Sequence, residues 1–117
     1  MVDLHAHSTA SDGEKSPSQL VLCAKESGLG VLALTDHDTV DGLEEAAEAA
    51  KEAGIVFVPG IELNIQWPTG EFHLLGLGLK EISASMKGLL ASLKYNRIER
   101  NKKILAALAN DGLEVTY

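Results

Sequence analysis

Apolar and polar side chains alternate at the start of the chain, and Asp3, His5 and His7 take the polar positions within residues 2–7. A period of two predicts a β-strand whose polar side chains lie on one face. Residues 31–34 and 55–58 are short apolar runs, which are typical of buried strands. The sequence therefore predicts three strands in its first half.

Capping residues mark two helices between these strands. Ser16, Pro17 and Gln19 supply an N-cap, a proline in the first turn and a capping box, which predicts a helix over residues 17–27 that ends at Gly28. A run rich in alanine and glutamate over residues 43–53 is closed by Gly54 and predicts the second helix. The order strand, helix, strand, helix, strand predicts parallel strands joined by right-handed crossovers.

The pattern changes after the third strand. Residues 62–66 and 71–77 are strand-like runs on either side of Trp67-Pro68-Thr69-Gly70, which indicates a hairpin. A long helix is predicted over residues 85–109 with a stop at Asn110-Asp111-Gly112, and residues 112–117 look like the start of another strand or subdomain. If the βα units belong to a closed barrel, which needs roughly 200 residues, the chain is about its first half.

Composition favours a soluble globular domain, because 45% of the 117 residues are hydrophobic and the mean hydropathy is +0.05. The apolar runs fall far short of the ~20 residues of a membrane helix, and we recognise no export signal. Cys23 is the single cysteine, so no internal disulfide is expected and a reducing cytoplasm is the simplest compartment. We expect Cys23 to be a small core residue rather than a nucleophile.

The net charge of −7 is unevenly distributed. Residues 1–93 carry fourteen acidic and five basic side chains, whereas residues 94–117 carry three acidic and five basic ones. The acidic part makes binding to duplex DNA improbable, and an anionic substrate would need bound cations. The basic stretch over residues 94–103 either binds a substrate phosphate through Arg97 and Arg100 or is a solvated helix face. We expect the solvated face, which is the commoner role of such charges.

Histidines and carboxylates recur where the predicted strands end. His-x-His on one strand points both rings to one side, which suits two ligands of one metal ion. The carboxyl ends of parallel strands are where α/β sheets keep their sites. The candidate metal ligands are His5, His7, Asp12, His37, Glu62 and His73. The alternative for His5 and His7 is a pair of surface histidines, and for His73 a hydrogen-bonded strand histidine.

Polar residues next to the candidate ligands have two possible roles each. We expect Asp36 and Asp38 to cap the following helix or support His37 rather than bind metal. Asp3 either orients the His5 ring or caps the start of its strand. The Ser8 and Thr9 hydroxyls lie near the expected phosphate position, although bonding within the turn is the commoner use of such residues.

Five ordered motifs closely resemble the PHP (polymerase and histidinol phosphatase) family of metal-dependent phosphoesterases. The resemblance spans almost the whole chain and is greatest to small stand-alone members that hydrolyse nucleoside 3′,5′-bisphosphates. The motifs are Asp3-Leu4-His5-Ala6-His7-Ser8, Ser11-Asp12-Gly13, Thr35-Asp36-His37-Asp38-Thr39, Pro59-Gly60-Ile61-Glu62 and His73-Leu74-Leu75-Gly76.

The resemblance implies an α/β fold, the N-terminal part of a distorted seven-stranded β/α barrel over residues 1–83, followed by a long helix and the start of a further segment or inserted subdomain over 84–117. It also implies two to three divalent metal ions in the barrel mouth. His5 and His7 would ligate one ion, Asp12 and His37 a second, and His73 a third, with Glu62 bridging ions. The implied catalytic residues are Asp12, His37 and Glu62. No histidine follows His73, so the family's later histidine and Asp-x-His ligands are absent from this sequence.

Mixed imidazole and carboxylate ligands suit Mn²⁺, Fe²⁺ or Zn²⁺ better than Mg²⁺. We therefore expect a phosphoesterase that uses a metal-activated hydroxide on a phosphate monoester of a small nucleotide. The alternatives are a histidinol-phosphatase activity, and an inactive metal-binding fragment that assembles with a partner. A proofreading exonuclease module fits the motifs less well. If the chain is truncated, an unpaired strand edge would favour a homodimer.

Overall fold

Alternating strands and helices make up the computed structural model, which describes residues 1–113 and residue 115. The α/β class and the predicted order of elements are confirmed. The elements are β1 (Val2–Ala6), α1 (Pro17–Glu26), β2 (Val31–Leu34), α2 (Leu43–Ala53), β3 (Val56–Trp67), β4 (Gly70–Leu77) and α3 (Ala84–Asn110).

The strands form one sheet in the order β1-β2-β3-β4. The first three strands are parallel, with Val2 beside Val31 and Leu32 beside Phe57. β3 and β4 are antiparallel and end at the pair formed by Trp67 and Gly70, so the predicted hairpin turn is confirmed. Parallel pairing brings the carboxyl ends of β1, β2 and β3 to the same edge of the sheet.

β3 differs from the prediction, which placed two separate strands around Pro59 and Gly60. The structure has one continuous strand that pairs with β2 as far as Pro59 and with β4 from Gly60 onward. Pro59 is the last residue opposite β2, so its missing N–H does not interrupt either ladder. Gly60 is required by close packing, because a Cβ there would lie 2.8 Å from Thr35 Cγ2.

The hydrophobic core lies between the sheet and the two short helices. Val21 and Ala24 of α1, and Ala46 and Ala50 of α2, are buried together with residues of β2. Leu34 is fully buried, and a side chain of that size contributes about 1.5–3 kcal/mol relative to an exposed position. Cys23 is half-buried.

The predicted start of α1 is supported by specific contacts. The capping box of Ser16 and Gln19 is present, and Pro17 is the first helical residue of α1. Glu45 of α2 also accepts a hydrogen bond from the Ser18 backbone N–H (3.0 Å). Hydrogen bonds from the Ser18 side chain and backbone lower the pKa of Glu45. A carboxylate thus satisfies a free N–H in the first turn of α1.

The chain divides into two compact units, one over Met1–Ile82 and one that begins at Ser83. In the second unit, Ser83 caps α3 by accepting a hydrogen bond from the Met86 N–H (3.2 Å). The helix ends at Asn110, as the Asn-Asp-Gly stop predicted. Of the strand expected over 112–117, positions 112, 113 and 115 are not in a strand, and the rest lies outside the described residues.

Within the described chain, no helix combines the length and the apolar content that crossing a membrane requires.

Candidate metal centre

Backbone pairing between the segment after β2 and the middle of β3 sets two of the candidate ligands side by side. His37 and Glu62 form an isolated parallel bridge beyond the regular ladder. The Asp38 N–H donates to the Glu62 carbonyl (2.9 Å), and the Glu62 N–H donates to the Asp36 carbonyl (3.1 Å). The position of Glu62 relative to His37 is therefore fixed by main-chain hydrogen bonds.

The β3–β4 hairpin brings His73 to the same site. Leu75 lies opposite Glu62, and His73 lies opposite Asn64, two residues along the strand. Residues two apart share a face of the sheet, so His73 is a diagonal neighbour of Glu62 on one face. The hairpin register thus places His73 next to ligands that come from the parallel strands.

Glu62 is the centre of the cluster, and only 2% of its surface is exposed. Its Oε2 lies 2.9 Å from His5 Nε2, 3.1 Å from His7 Nε2 and 3.5 Å from His37 Nε2. Its Oε1 lies 2.8 Å from His73 Nδ1. All four histidines of the chain therefore converge on a single buried carboxylate.

Asp12 reaches the cluster from the loop after β1. Its Oδ1 lies 3.5 Å from His7 Nδ1 and its Oδ2 lies 3.7 Å from His37 Nε2. The rings of His7 and His37 are stacked, with centroids 4.7 Å apart. Asp12 is thus beside both rings, although its side chain is 60% exposed.

Three overlapping groups of donor atoms result, and within each group the donor atoms lie within 4.8 Å of one another. Imidazole nitrogen with carboxylate oxygen is the donor mixture of Mn²⁺, Fe²⁺ and Zn²⁺ sites. His37 directs Nε2 toward both Asp12 and Glu62, and the buried Nδ1 atoms of His7 and His37 have no hydrogen-bond partner among the described residues. The residues present therefore fit divalent metal ions. The groups are His5, His7 and Glu62; His7, Asp12 and His37; and His37, Glu62 and His73.

The histidines keep Glu62 ionised. Burial on its own raises the pKa of this carboxyl, but the hydrogen bonds from His5 and His73 and the charges of His37 and His5 outweigh burial, so the pKa is lowered. An ionised carboxylate with two oxygens directed at different rings can hold two cations at once.

Several neighbours have roles that the sequence left open. The Asp36 carboxylate accepts hydrogen bonds from Ser8 and Ser11, whereas α2 begins after Gly42 without a side-chain cap, so the capping alternative for Asp36 is wrong. Asp3 accepts from the His5 backbone N–H (3.1 Å), which stabilises the local backbone.

Asp38 connects the segment after β2 to β3. It has a left-handed backbone, with φ of 53°, and its Oδ1 accepts from the Asn64 N–H (3.2 Å). Asn64 was not identified from the sequence. It lies opposite His73, and its buried Oδ1 has no hydrogen-bond partner in the described part of the chain. Its spacing of two residues from Glu62 was the available signal.

With this site in place, comparison with known proteins identifies the class. The PHP domain family matches residues 3–116, so the chain belongs to the PHP family. Fold and site agree with that assignment, because the half-barrel sheet brings candidate ligands from its strands and the segments after them into one cluster.

Particular relatives are phosphoesterases with different substrates. The chain is 44% identical over 115 residues to a 5′-3′ exoribonuclease of Haemophilus influenzae, covering 98% of this chain and 42% of the relative. It is 38% identical to a 3′,5′-nucleoside bisphosphate phosphatase of Chromobacterium violaceum, covering 96% and 39%. It is 36% identical to a phosphoribosyl 1,2-cyclic phosphate 1,2-diphosphodiesterase of Eggerthella lenta, covering 97% and 44%. The chain thus spans about two fifths of the length of these relatives.

Solved structures agree with the fold. A C. violaceum protein described as an amidohydrolase, with bound sulfate and no metal, superposes with a TM-score of 0.92 at 37% identity, over 97% of this chain and 40% of that one. A candidate metal-dependent phosphoesterase of Bifidobacterium adolescentis superposes with a TM-score of 0.88 at 31% identity, over 94% and 38%. Both likenesses support the predicted N-terminal part of a PHP barrel.

Proposed function

We propose that the protein is a metal-dependent phosphoesterase that hydrolyses a phosphate monoester of a small nucleotide, of the nucleoside 3′,5′-bisphosphate type. The observation that carries this proposal is the convergence of four imidazoles on the buried carboxylate of Glu62, with Asp12 beside two of those rings. The C. violaceum bisphosphate phosphatase relative supports the choice of substrate class.

The ions in this proposal are two to three Mn²⁺, Fe²⁺ or Zn²⁺. Their ligands in this chain are His5, His7, Asp12, His37, Glu62 and His73. When bound, such ions supply Lewis-acid charge for the phosphate oxygens and acidify water into a nucleophile. This attraction is needed because the chain carries a net charge of −7 and repels phosphate on its own.

In this proposal the residues of the chain bind the ions and orient the substrate. Glu62 keeps its negative charge because its pKa is lowered, so it remains a ligand in mildly acidic solution. Asp12 is the more exposed of the two carboxylates in the cluster, and in this proposal it faces the substrate. Catalytic roles are proposed for Asp12, His37 and Glu62, since each joins two ligand sets or faces the open side of the site.

The first experiment measures phosphate release from adenosine 3′,5′-bisphosphate by the full natural chain with Mn²⁺, and compares His37→Ala with Lys51→Ala. His37 belongs to two of the three donor groups, whereas Lys51 is an exposed residue of α2. We expect His37→Ala to lower kcat by at least about 100-fold, since a catalytic ion contributes several kcal/mol. Lys51→Ala should match the unsubstituted protein. Equal rates for all three proteins would refute the proposal.

Substrate controls separate the alternatives. Histidinol phosphate is assayed in parallel, and a faster reaction with it would replace the nucleotide by that substrate. A protein that binds metal but hydrolyses neither compound nor short RNA would be a metal-binding module assembled with a partner.

A second candidate activity is exonucleolytic cleavage of short RNA from its 5′ end. The 44% identity to the H. influenzae exoribonuclease favours it, and the same ion chemistry serves a phosphodiester. A 5′-labelled oligoribonucleotide distinguishes the two, because stepwise release of mononucleotides indicates the exonuclease. We propose no binding to duplex DNA and a cytoplasmic location.

A further inference from the structure

Three hydrogen-bond donors from one loop converge on the carboxylate of Asp36. Asp36 Oδ1 accepts from the Ser8 backbone N–H (2.7 Å) and from the Ser11 hydroxyl (2.6 Å). Asp36 Oδ2 accepts from the Ser8 hydroxyl (2.6 Å). Asp36 is 1% exposed and Ser8 is fully buried. Short, buried bonds to a carboxylate are among the strongest hydrogen bonds in proteins.

The loop that Asp36 holds connects two candidate ligands. It begins directly after His7 and leads to Asp12. Asp12 is the only candidate ligand that lies in an irregular segment, since the others lie in or directly beyond strands of the described chain. Its side chain is largely exposed, so the backbone of the loop has to set its position.

The loop is tightly folded around Ser8. The N–H groups of Ser11 and Gly13 both donate to the Ser8 carbonyl, at 3.0 and 2.8 Å. A Cβ at position 13 would lie 2.3 Å from the His7 carbonyl oxygen, so glycine is required there. Fixing Ser8 therefore also fixes the turn that presents Asp12.

The backbone of Asp36 contacts the opposite side of the site. Its carbonyl accepts the Glu62 N–H, and its neighbour His37 is paired with Glu62. One buried residue just beyond β2 thus joins the loop after β1 to the middle of β3. Its side chain and its main chain hold different ligands at one relative position.

We propose that Asp36 is a positioning residue of the metal centre, which holds the loop of residues 8–13 so that Asp12 faces His7 and His37. This inference rests on the proposed function, because it concerns the same ions. Outer residues that hold metal ligands typically change metal affinity by about 10–100-fold when they are substituted.

The test replaces Asp36 by asparagine in the full natural chain. Asn has the same shape but no charge. With its oxygen at the Oδ1 position, its NH₂ group can only donate to the Ser8 hydroxyl, so that bond must reverse, and all three bonds lose the charge that strengthens them. Ser11→Ala removes the bond from the Ser11 hydroxyl to Asp36 and its longer bond to Asp12 Oδ1 (3.2 Å), and it serves as the variant that keeps both Ser8 bonds. Asp111→Asn, at the exposed end of α3, is the matched control for the loss of one charge.

The measurement is a Co²⁺ titration followed by visible absorption, with total bound metal determined by elemental analysis. For Asp36→Asn we expect one Co²⁺ to bind about 10–100-fold more weakly, with a changed spectrum, while the other bound Co²⁺ keeps its affinity. Ser11→Ala should shift the same ion by less, and its effect should be smaller in the Asp36→Asn background, where mainly its bond to Asp12 is left to lose. Asp111→Asn should titrate like the unsubstituted protein.

Two results would overturn the inference. One is a Co²⁺ titration of Asp36→Asn and Ser11→Ala identical to that of the unsubstituted protein. The other is an equal weakening of every ion, with Ser11→Ala silent, which would give Asp36 only a general structural role. Failure of the unsubstituted protein to bind Co²⁺ would refute both this inference and the proposed function, whereas normal binding without phosphatase activity would refute only the function.

Discussion

Glu62→Gln is the most informative substitution, because Glu62 contacts all four histidines and belongs to two donor groups. Gln keeps the size of the side chain and removes its charge. In the metal-free protein the charged carboxylate accepts close contacts from His5 at 2.9 Å and His73 at 2.8 Å. The substitution therefore tests the charge of the cluster rather than its packing.

The magnitude follows from those contacts. A hydrogen bond to a charged group contributes about 1.5–3 kcal/mol, and the cost of burying the carboxylate offsets part of two such bonds. The lowered pKa of Glu62 shows that the ionised form is favoured by the fold, so Gln must destabilise. We expect a loss of about 1–3 kcal/mol in the free energy of unfolding without metal. We also expect metal affinity to fall more than about 100-fold, beyond the effect of outer residues.

The assay is urea unfolding of the full natural chain, with a chelator and with Mn²⁺, at several pH values. Because the pKa of Glu62 lies below its usual value of 4.5, its contribution is complete above about pH 4.5 and disappears as the pH falls through the folded pKa. The difference between the two proteins should therefore shrink in acid. A metal-free Glu62→Gln protein as stable as the original at pH 7, or one that keeps its Mn²⁺ affinity, would refute this reasoning.

Three further predictions concern the rest of the chain. Glu45→Gln should lower the melting temperature above pH 4.5, and the effect should vanish in acid because hydrogen bonds from Ser18 lower the pKa of Glu45. The adjacent Glu44→Gln is the control, and an equal effect of both substitutions would contradict the prediction. Leu34→Ala should cost about 2–5 kcal/mol in urea unfolding because Leu34 is fully buried, and a loss below 1 kcal/mol would be inconsistent with the core. Removal of metal by a chelator should abolish phosphate release, and Mn²⁺ should restore it better than Mg²⁺, as measured by steady-state rates; full activity in chelator would count against the metal centre.

The local signals in the sequence predicted most of the fold because they act over a few residues. β2 and α2 have the predicted boundaries, and the capping box at Ser16 is present. The join within β3 was not predictable, since Pro59 and Gly60 normally interrupt a strand. It depends on a change of partner from β2 to β4, which is a property of the sheet rather than of the segment.

In the candidate site, too, local features could be predicted from the sequence and long-range contacts could not. Histidines at strand ends could be grouped from the sequence, because parallel strands bring these ends to one edge. The contact between Asp36 and Ser8 could not be anticipated, since it joins residues 28 positions apart, and the sequence indicated only that Asp36 caps the following helix or supports His37. Hydrogen bonds between distant loops leave no periodic signal in a single sequence.

The overlap of the donor groups limits how the ions can share the histidines. A neutral imidazole has one free lone pair, so His7 and His37 can each serve one cation at a time, although each belongs to two groups. The group of His5 and His7 and the group of His37 and His73 can be filled together, with one oxygen of Glu62 for each. A further cation beside Asp12 must then compete for His7 or His37, so successive ions should load with unequal affinities.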